Sequence, residues 1–369
     1  MSYADIVIKS SAIFTAETLD TIEGAVVING KEIEAVCPAD EAVSFIGPDT
    51  RVIEAGGNMV LPGFNDSHTH FLQNGIMNDA DFTLNLEGIT SKEETLSKIA
   101  EFAAAHPENK WIVGCGFNYD AWDEKPTRQM LDEIVPDRPV YIASWDMHVG
   151  WMSTLAQQAA GYSDDTPDPE GGYLERDADG HLTGLGFEPP VNDPVWGMGN
   201  LTANMDRCFG GSMQECLSFG VTSAGVVWPY GGVPEEDHMR IFKEFEDAGK
   251  LPMRLTVFPK MEPGLAAAKR YERELASEHL RFGGVKQIVD GVCEAHTGFL
   301  TEPYADDPST CGEPTIKKDE LKAMVAEANG LNYPVRLHAI GNGTVRMVLD
   351  VFEEVAQEQG FKGLRNCIE

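Results

Sequence analysis

The sequence predicts an α/β fold in which a small all-β unit precedes a larger unit of alternating strands and helices. Two observations support this prediction. Residues 4–60 contain strand-like runs separated by turn residues. From Phe219 onward, apolar runs of strand length alternate with amphipathic stretches of helix length. Such alternation is typical of a parallel sheet with right-handed crossovers. We therefore predict two domains, residues 1–60 and 61–369.

The first domain contains a strong hairpin pattern. Residues 5–9 and 24–28 are predicted strands, and the dipeptide Asn29-Gly30 stands between Ile28 and the strand-like run 31–36. Asn-Gly between two apolar runs favours a two-residue turn because both residues tolerate a positive φ.

The larger domain begins with an insertion-like region. Residues 71–218 are too many for one crossover, so we predict an insertion that covers a binding cleft. It contains a helix with an S-x-x-E cap at Ser91. Further along, strands are predicted at 219–227, 253–258, 284–289, 334–340 and 365–368, and helices at 235–249, 263–275, 318–329 and 344–358.

Composition and charge exclude some partners. The chain has 369 residues and a formal net charge of −32, which repels nucleic acid and anionic membrane surfaces. No run reaches the roughly 18 apolar residues that span a bilayer, and the first residues lack a basic start. The seven cysteines form no C-x-x-C pair. We expect reduced thiols in a cytoplasmic protein with a small-molecule substrate, and a homodimer remains an open option.

The segment LPGFNDSHTH contains two histidines two positions apart. The apolar run 59–61 predicts a buried strand leading into it. If the extended backbone continues, His68 and His70 point to the same side and can converge on one metal ion. For the isolated pair, surface or hydrogen-bonded histidines are the commoner explanation.

Two more ionisable residues lie on predicted strands. Lys286 lies in GGVKQIVDG, and His338 lies near the end of PVRLHAIG. The carboxyl ends of parallel barrel strands surround the active site, so residues at these positions converge if the strands form a barrel. The alternatives for Lys286 are an amine that reaches solvent and an ion pair with Asp290.

Three segments resemble signatures of metal-dependent amidohydrolases: LPGFNDSHTH, GGVKQIVDG and RLHAIGNGTVRMVLD. The chain is most similar to the third amidohydrolase family, the branch that contains YtcJ-like proteins and N-substituted formamide deformylases. The stretches 111–122 and 125–152 also match. The resemblance implies a (β/α)8 TIM-type barrel, with about six of the eight strands present. It also implies that residues 1–60 are half of a composite β-sandwich.

The resemblance also implies site residues and a reaction. His68 and His70 would bind one metal and His338 a second, and Lys286, carboxylated by CO₂, would bridge them. One or two divalent ions are implied, with zinc the first choice, and Lys286 and His338 are the catalytic candidates. A metal-bound hydroxide would then hydrolyse a C–N bond other than a peptide bond.

Other candidate residues have a weaker basis. His148, in SWDMHVGW, and His296, in DGVCEAHTG, are predicted to bind substrate, and Glu294 could line the pocket. Met147 stands where the family has a glycine. Asp66 is predicted to orient an imidazole. The remaining helix and loop histidines are predicted to be ordinary surface residues: His106, His181, His238 and His279.

The sequence departs from the family at its end. Ile368-Glu369 closes the chain where the family continues with another metal-binding histidine and a later aspartate, so a C-terminally truncated enzyme is expected. Two alternatives stay open. One is an esterase or phosphoester hydrolase that uses the same site. The other is a non-catalytic remnant that binds a metal or ligand.

Overall fold

A computed structural model describes residues 3–228, 232–293 and 295–369. The chain divides into two units, Met1–Phe64 and Asn65–Glu369. The core of the first unit is formed by Ala4, Val7, Ala25, Val27 and Ala42. All seven cysteines are free thiols. Within the described ranges, no helix combines the length and apolarity that crossing a bilayer requires.

The first unit contains one four-stranded sheet in the order β3-β2-β1-β4. The first strand pairs antiparallel with the second and parallel with the fourth. The strands are β1 (Ile6–Ile13), β2 (Ile22–Asn29), β3 (Glu32–Cys37) and β4 (Arg51–Val60). A 3-10 helix, Glu41–Phe45, lies between β3 and β4.

The predicted hairpin joins β2 to β3, but its turn is one residue later than the sequence indicates. Asn29 pairs with Glu32, so Gly30 and Lys31 form the turn. Gly30 has φ +59°, and its N–H donates to the Asp5 carboxylate at 2.6 Å. The prediction of a buried strand at 59–61 is wrong, because Met59 belongs to β4 and is 57% exposed.

The central strands of the second unit form two sheets. One has the order β14-β13-β12-β5, and the other is β15-β16-β17. A parallel bridge between Lys260 and Lys286 connects the end of β13 to β15. The strands are β5 (Phe64–Thr69), β12 (Val221–Val227), β13 (Arg254–Phe258), β14 (Leu280–Phe282), β15 (Val285–Ile288), β16 (Val335–His338) and β17 (Cys367–Ile368).

Helices alternate with these strands, as the sequence predicts. They follow β12, β13, β15 and β16 in turn, and each buries one apolar face against the strands. Their bounds are α7 (Glu235–Asp247), α8 (Ala266–Glu274), α9 (Lys318–Gly330) and α10 (Asn342–Gln359). The α/β class is therefore confirmed.

The region between β5 and β12 builds a six-stranded sheet of its own, in the order β10-β11-β9-β8-β7-β6. Its strands are β6 (Thr83–Asn85), β7 (Ile112–Phe117), β8 (Val140–Ser144), β9 (Val149–Met152), β10 (Tyr173–Arg176) and β11 (Leu182–Phe187). Its helices are α1 (Phe71–Met77), α2 (Lys92–Ala105), α3 (Arg128–Ile134), α4 (Thr154–Ala159), α5 (Pro189–Asn200) and α6 (Met205–Ser218).

This region shares its core with the central strands. Tyr141 of β8 and Trp196 of α5 belong to the same buried cluster as Val226 of β12 and Leu255 of β13. The predicted cap of α2 is present, since the Ser91 hydroxyl accepts from the N–H of Glu94. A common core fixes the loops of the inserted region relative to the strand ends that they approach.

The close approach of β5 to β12 gives a first prediction. A Cβ at Gly225 would lie 2.4 Å from the Ser67 carbonyl oxygen, so we expect Gly225→Ala to reduce the free energy of unfolding by about 1–3 kcal/mol. Gly211→Ala is the matched control. It lies in the exposed part of α6 with nothing within 4 Å of the added atom, and should stabilise by about 0.5 kcal/mol. Equal urea midpoints for the two variants would contradict the prediction.

Candidate metal centre

Strand ends position the four predicted metal-binding residues. His68 lies on β5, and His70 follows it at the start of α1. Lys286 lies on β15 and His338 is the last residue of β16. The rings of His68 and His70 are 5.5 Å apart between centroids. The two imidazoles are thus neighbours, as predicted, although only His68 lies on the strand.

Lys286 is buried, with 4% of its surface exposed. Its Nζ donates to Oε2 of Glu369 at 2.6 Å. The same oxygen is 3.2 Å from Nδ1 of His68, and Oε1 of Glu369 accepts from Arg336 at 2.8 Å. Both alternatives considered for Lys286 are wrong: its amine neither reaches solvent nor pairs with Asp290.

Sequence reasoning missed Glu369 as a member of this cluster. Its carboxylate contacts Lys286, His68 and Arg336, which come from three different strands. Hydrogen bonds from His68 and Lys286 outweigh the effect of burial and lower the pKa of Glu369 to about 2. No short motif links these residues, so only the pairing of β15, β16 and β17 could have revealed the contact.

His70 is held in the neutral form. Burial, together with the nearby charges of His68 and Lys286, lowers its pKa to about 4. Its Nδ1 lies 3.2 Å from the Trp228 carbonyl oxygen, an acceptor, so Nδ1 carries the proton and Nε2 the lone pair. A neutral imidazole with one nitrogen donating to a carbonyl is the usual form of a metal-binding histidine.

His338 has an unsatisfied nitrogen. Its Nε2 is buried and has no hydrogen-bond partner, and burial, followed by the charges of Lys286 and His148, lowers its pKa to about 4. A buried polar atom without a partner costs free energy. A buried imidazole nitrogen without a hydrogen-bond partner therefore fits a ligand of a divalent metal ion.

The predicted metal-binding residues meet some requirements of a metal-ion site and do not meet others. Neutral imidazoles and a buried amine are the chemical forms that a divalent ion and a carboxylated lysine require. Within the described ranges, no three His, Cys, Asp or Glu side chains are arranged so that they could hold a metal ion. Burial lowers the pKa of Lys286 and its hydrogen bond to Glu369 opposes that effect; the net shift is downward, toward the free amine that reacts with CO₂.

His148 lies beside His338, with ring centroids 6.3 Å apart. Its Nδ1 is 2.7 Å from Oε2 of Glu188, a buried carboxylate that sequence reasoning missed. Met147 has φ +69°, so this methionine adopts the left-handed conformation that glycine adopts without strain. The substitution of the family glycine has not removed the turn.

His296 lies in a different environment. Its Nε2 is 2.9 Å from the Asp306 carboxylate, and its ring packs against Tyr304 with centroids 4.6 Å apart. None of the contacts described for it involves the other candidate site residues. Glu294 lies outside the described residues. Asp66 accepts from the backbone N–H of His68 at 3.1 Å and not from an imidazole, contrary to the prediction.

The prediction of an ordinary surface residue is wrong for His238. This residue of α7 is 3% exposed, its Nε2 has no hydrogen-bond partner, and burial lowers its pKa to about 3. It shares the buried face of α7 with Ile241 and Phe242. The spacing i, i+3, i+4 was visible in the sequence and would have placed His238 on that face.

A cavity of about 470 Å³ opens beside these groups. Its walls are largely apolar, and include Pro190, Trp228 and Ile288. The wall residues described for it do not include the four predicted metal-binding residues. Two wall residues contact those residues through backbone atoms: Trp228, whose carbonyl contacts His70, and Gly291, whose backbone hydrogen-bonds to His338. An apolar cavity of this size next to polar, ionisable groups is the usual form of a small-molecule site.

Glu235, at the start of α7, predicts a pH-dependent stability. Burial raises its pKa to about 7 from 4.5. The folded state therefore keeps a proton that the unfolded chain releases, so stability falls as pH rises from about 4.5 to 7 and then levels off. We expect the free energy of unfolding of Glu235→Gln to decrease less over this pH range, by up to about 3 kcal/mol, than that of the parent protein. Urea unfolding at pH 5 and 8 measures it, with the exposed Glu302→Gln as control. An unchanged slope in Glu235→Gln would contradict the assignment.

The sequence is similar to those of known amidohydrolases and related enzymes. The chain is 30% identical over 329 residues to the putative amidohydrolase YtcJ of Bacillus subtilis, covering 85% of this chain and 59% of that protein. It is 25% identical to the N-substituted formamide deformylase of Arthrobacter pascens, covering 96% of this chain and 66% of that protein. The chain therefore spans about three fifths to two thirds of the length of these curated relatives.

Solved structures support the fold. An uncharacterized metal-dependent hydrolase from Pyrococcus furiosus matches 98% of this chain and 71% of its own, with a TM-score of 0.70 and 24% identity. A Pyrococcus horikoshii hydrolase of the same description matches with a TM-score of 0.72, 22% identity and coverage of 98% of this chain and 69% of its own. A family model described as "Amidohydrolase family" matches residues 51–369, and the chain therefore belongs to the amidohydrolase family.

Proposed function

We propose that this protein is a metal-dependent hydrolase of C–N bonds other than peptide bonds, of the amide, formamide or cyclic amide type. The observation that carries the proposal is the gathering of neutral imidazoles around a buried amine. His70 and His338 are both held neutral by burial, and His338 has an unsatisfied Nε2. Family membership and the similarity to the A. pascens N-substituted formamide deformylase support the choice of C–N bonds.

The residues that would hold the metal are His68, His70, His338 and Lys286. One or two divalent ions, zinc first, would polarise the carbonyl group and acidify a bound water. Lys286 would take part as a carbamate: its amine nitrogen bonds to the carbon of CO₂ and releases a proton. Burial supports that reaction because it lowers the pKa of Lys286.

Other residues of the chain position these side chains and surround the substrate. Arg336 holds the Glu369 carboxylate at 2.8 Å, and Glu369 accepts from the Lys286 amine in its uncarboxylated form. Carboxylation would replace this contact, because a carbamate and a carboxylate repel each other. The apolar cavity wall excludes water from the bound substrate, which strengthens electrostatic interactions within the site. His148 contacts Glu188, which lines that cavity, and its ring is 6.3 Å from that of His338; this position supports a role for His148 in substrate binding.

The test is a substrate panel with a metal assay. The purified protein is given zinc and bicarbonate, its metal content per chain is measured, and hydrolysis of N-substituted formamides, cyclic amides, carboxylic esters and phosphodiesters is compared. We expect bound metal and the fastest turnover on a C–N bond. Faster turnover of an ester or phosphodiester would replace the proposed function with the alternative hydrolase, and bound metal without turnover would favour a non-catalytic role.

A further inference from the structure

Lys260 is a basic side chain in the wall of the 470 Å³ cavity. It lies two residues after the end of β13 and is half-buried. Its Nζ is 4.6 Å from the centroid of the Trp228 ring, which lines the same cavity. Glu235 accepts from the backbone N–H of Lys260 at 2.8 Å and not from its amine. The contact described for the amine is therefore with an aromatic face, which attracts a cation without neutralising it.

Three acidic side chains also line this cavity: Glu188, Asp193 and Asp290. Asp290 accepts from several N–H and O–H donors, and Glu188 contacts an imidazole and a hydroxyl group. Asp193 also interacts with neighbouring groups; burial and then its charge raise the pKa of Tyr141. These carboxylates are thus engaged within the protein, whereas the charge of the Lys260 amine is open to a ligand in the cavity.

The rest of the wall limits the kind of ligand that fits. Its apolar side chains include Pro190, Pro194, Trp228, Ile288 and Ile316, and a volume of about 470 Å³ suits a small organic molecule. The described wall contains one basic side chain, whereas phosphate sites usually combine several backbone N–H groups or cations. A carboxylate attached to an apolar body therefore matches this cavity better than a phosphate does.

Lys260 is adjacent to Lys286 in the strand order. A parallel bridge joins the two residues: the Lys286 N–H donates to the Pro259 carbonyl at 2.8 Å, and the Met261 N–H donates to the Lys286 carbonyl at 2.7 Å. Neighbouring strands lie roughly 5 Å apart. A carboxylate held by Lys260 is therefore bound one strand away from the lysine proposed to take part in metal binding, and one small molecule can extend from one to the other.

We propose that Lys260 binds a carboxylate of the substrate, so that the substrates are small anionic amides with an apolar side group. N-formyl and N-acyl derivatives of apolar amino acids belong to this class. The inference rests on the proposed C–N hydrolysis and makes Lys260 a residue that determines specificity. Hydrogen bonds between an ammonium group and a carboxylate are among the stronger ones in proteins, and the Trp228 ring keeps the amine at the cavity wall.

The test compares N-formylleucine with N-formylisopentylamine, which has the same skeleton without the carboxylate. We expect the parent protein to have a kcat/KM for N-formylleucine that is about 10-fold higher or more. Lys260→Met should raise the KM for N-formylleucine by about 10–100-fold and change the KM for the neutral formamide by less than about twofold. A parent preference for the neutral formamide, or equal effects of Lys260→Met on both substrates, would overturn the proposal.

Three further variants separate charge from folding. Lys260→Arg keeps the cation and should keep the preference for N-formylleucine. Lys260→Glu should reverse it in favour of a formamide that carries an ammonium group. Lys250→Met is the matched control, since this exposed lysine follows α7 outside the described cavity wall. It should leave both KM values unchanged, and an effect as large as that of Lys260→Met would contradict a local role of Lys260.

Calorimetry distinguishes failure of this inference from failure of the proposed function. The zinc-loaded full chain is titrated with isocaproate and with isocaproamide, which are not substrates for formamide hydrolysis. Isocaproate should bind the parent protein about 10-fold more tightly or better than it binds Lys260→Met. If the parent hydrolyses neither formamide, the proposed function fails, and this titration still decides whether Lys260 binds a carboxylate. A carboxylate bound directly to the metal would bind both proteins alike, so equal affinities would overturn the role of Lys260.

Discussion

Replacing His70 by asparagine is expected to remove the bound metal and to lower kcat/KM by about 10³-fold or more. The His70 side chain is buried, neutral at pH 7 and oriented by the Trp228 carbonyl, so no water or neighbouring side chain replaces it readily as a ligand. Loss of the electrostatic stabilisation that a metal supplies is worth several kcal/mol, which corresponds to that factor in rate.

The measurement combines metal content by mass spectrometry with turnover of the best substrate. His106→Asn is the control, because His106 lies at the end of α2 and interacts with Glu108 and Phe102. Circular dichroism should show that both variants are folded. If His70→Asn retained the metal content and the turnover of the parent protein, the assignment of His70 as a ligand would be wrong.

Local patterns predicted most elements after residue 218. Strands and helices there follow the sequence to within a few residues, because each amphipathic helix and each apolar strand carries its own periodicity; the exception is the three-residue strand β14, which was not predicted. The proximity of His68 and His70 is equally local. They are two residues apart, and their rings stay close although the strand ends at Thr69 and His70 is the N-cap of α1.

Contacts between distant segments could not be predicted in this way. Glu188 and His148 are forty positions apart, and Glu369 lies eighty-three positions from Lys286. Their meeting depends on strand order, which periodicity does not encode. The contacts of Asp290 were likewise not predictable from local sequence patterns. The sequence suggested an ion pair with Lys286, whereas, among the described residues, its carboxylate accepts from groups that lie further along the chain: Phe299, Ile340, Gly341 and Thr344.

Through these hydrogen bonds, Asp290 contributes both to the stability of the fold and to the position of the loop that follows His338. The residue is fully buried. It accepts from the N–H groups of Ile340 at 2.9 Å and Gly341 at 2.8 Å, which follow His338 closely in the chain. Gly341 is also the N-cap of α10, where a carboxylate compensates the unsatisfied N–H groups and the positive end of the helix dipole. Asp290 therefore fixes both the start of α10 and the loop that carries His338.

We expect Asp290→Ala to reduce the free energy of unfolding by about 3 kcal/mol or more, since each buried donor left without an acceptor costs roughly 1–3 kcal/mol. Asp307→Ala is the control: that carboxylate accepts from Ser309 in an exposed loop, and its loss should cost under about 1 kcal/mol. Urea unfolding measures both. Because the His338 loop loses its anchor, metal affinity should fall in Asp290→Ala under conditions where the variant is still folded. A folded Asp290→Ala protein with the stability and metal affinity of the parent would show that other contacts hold this loop.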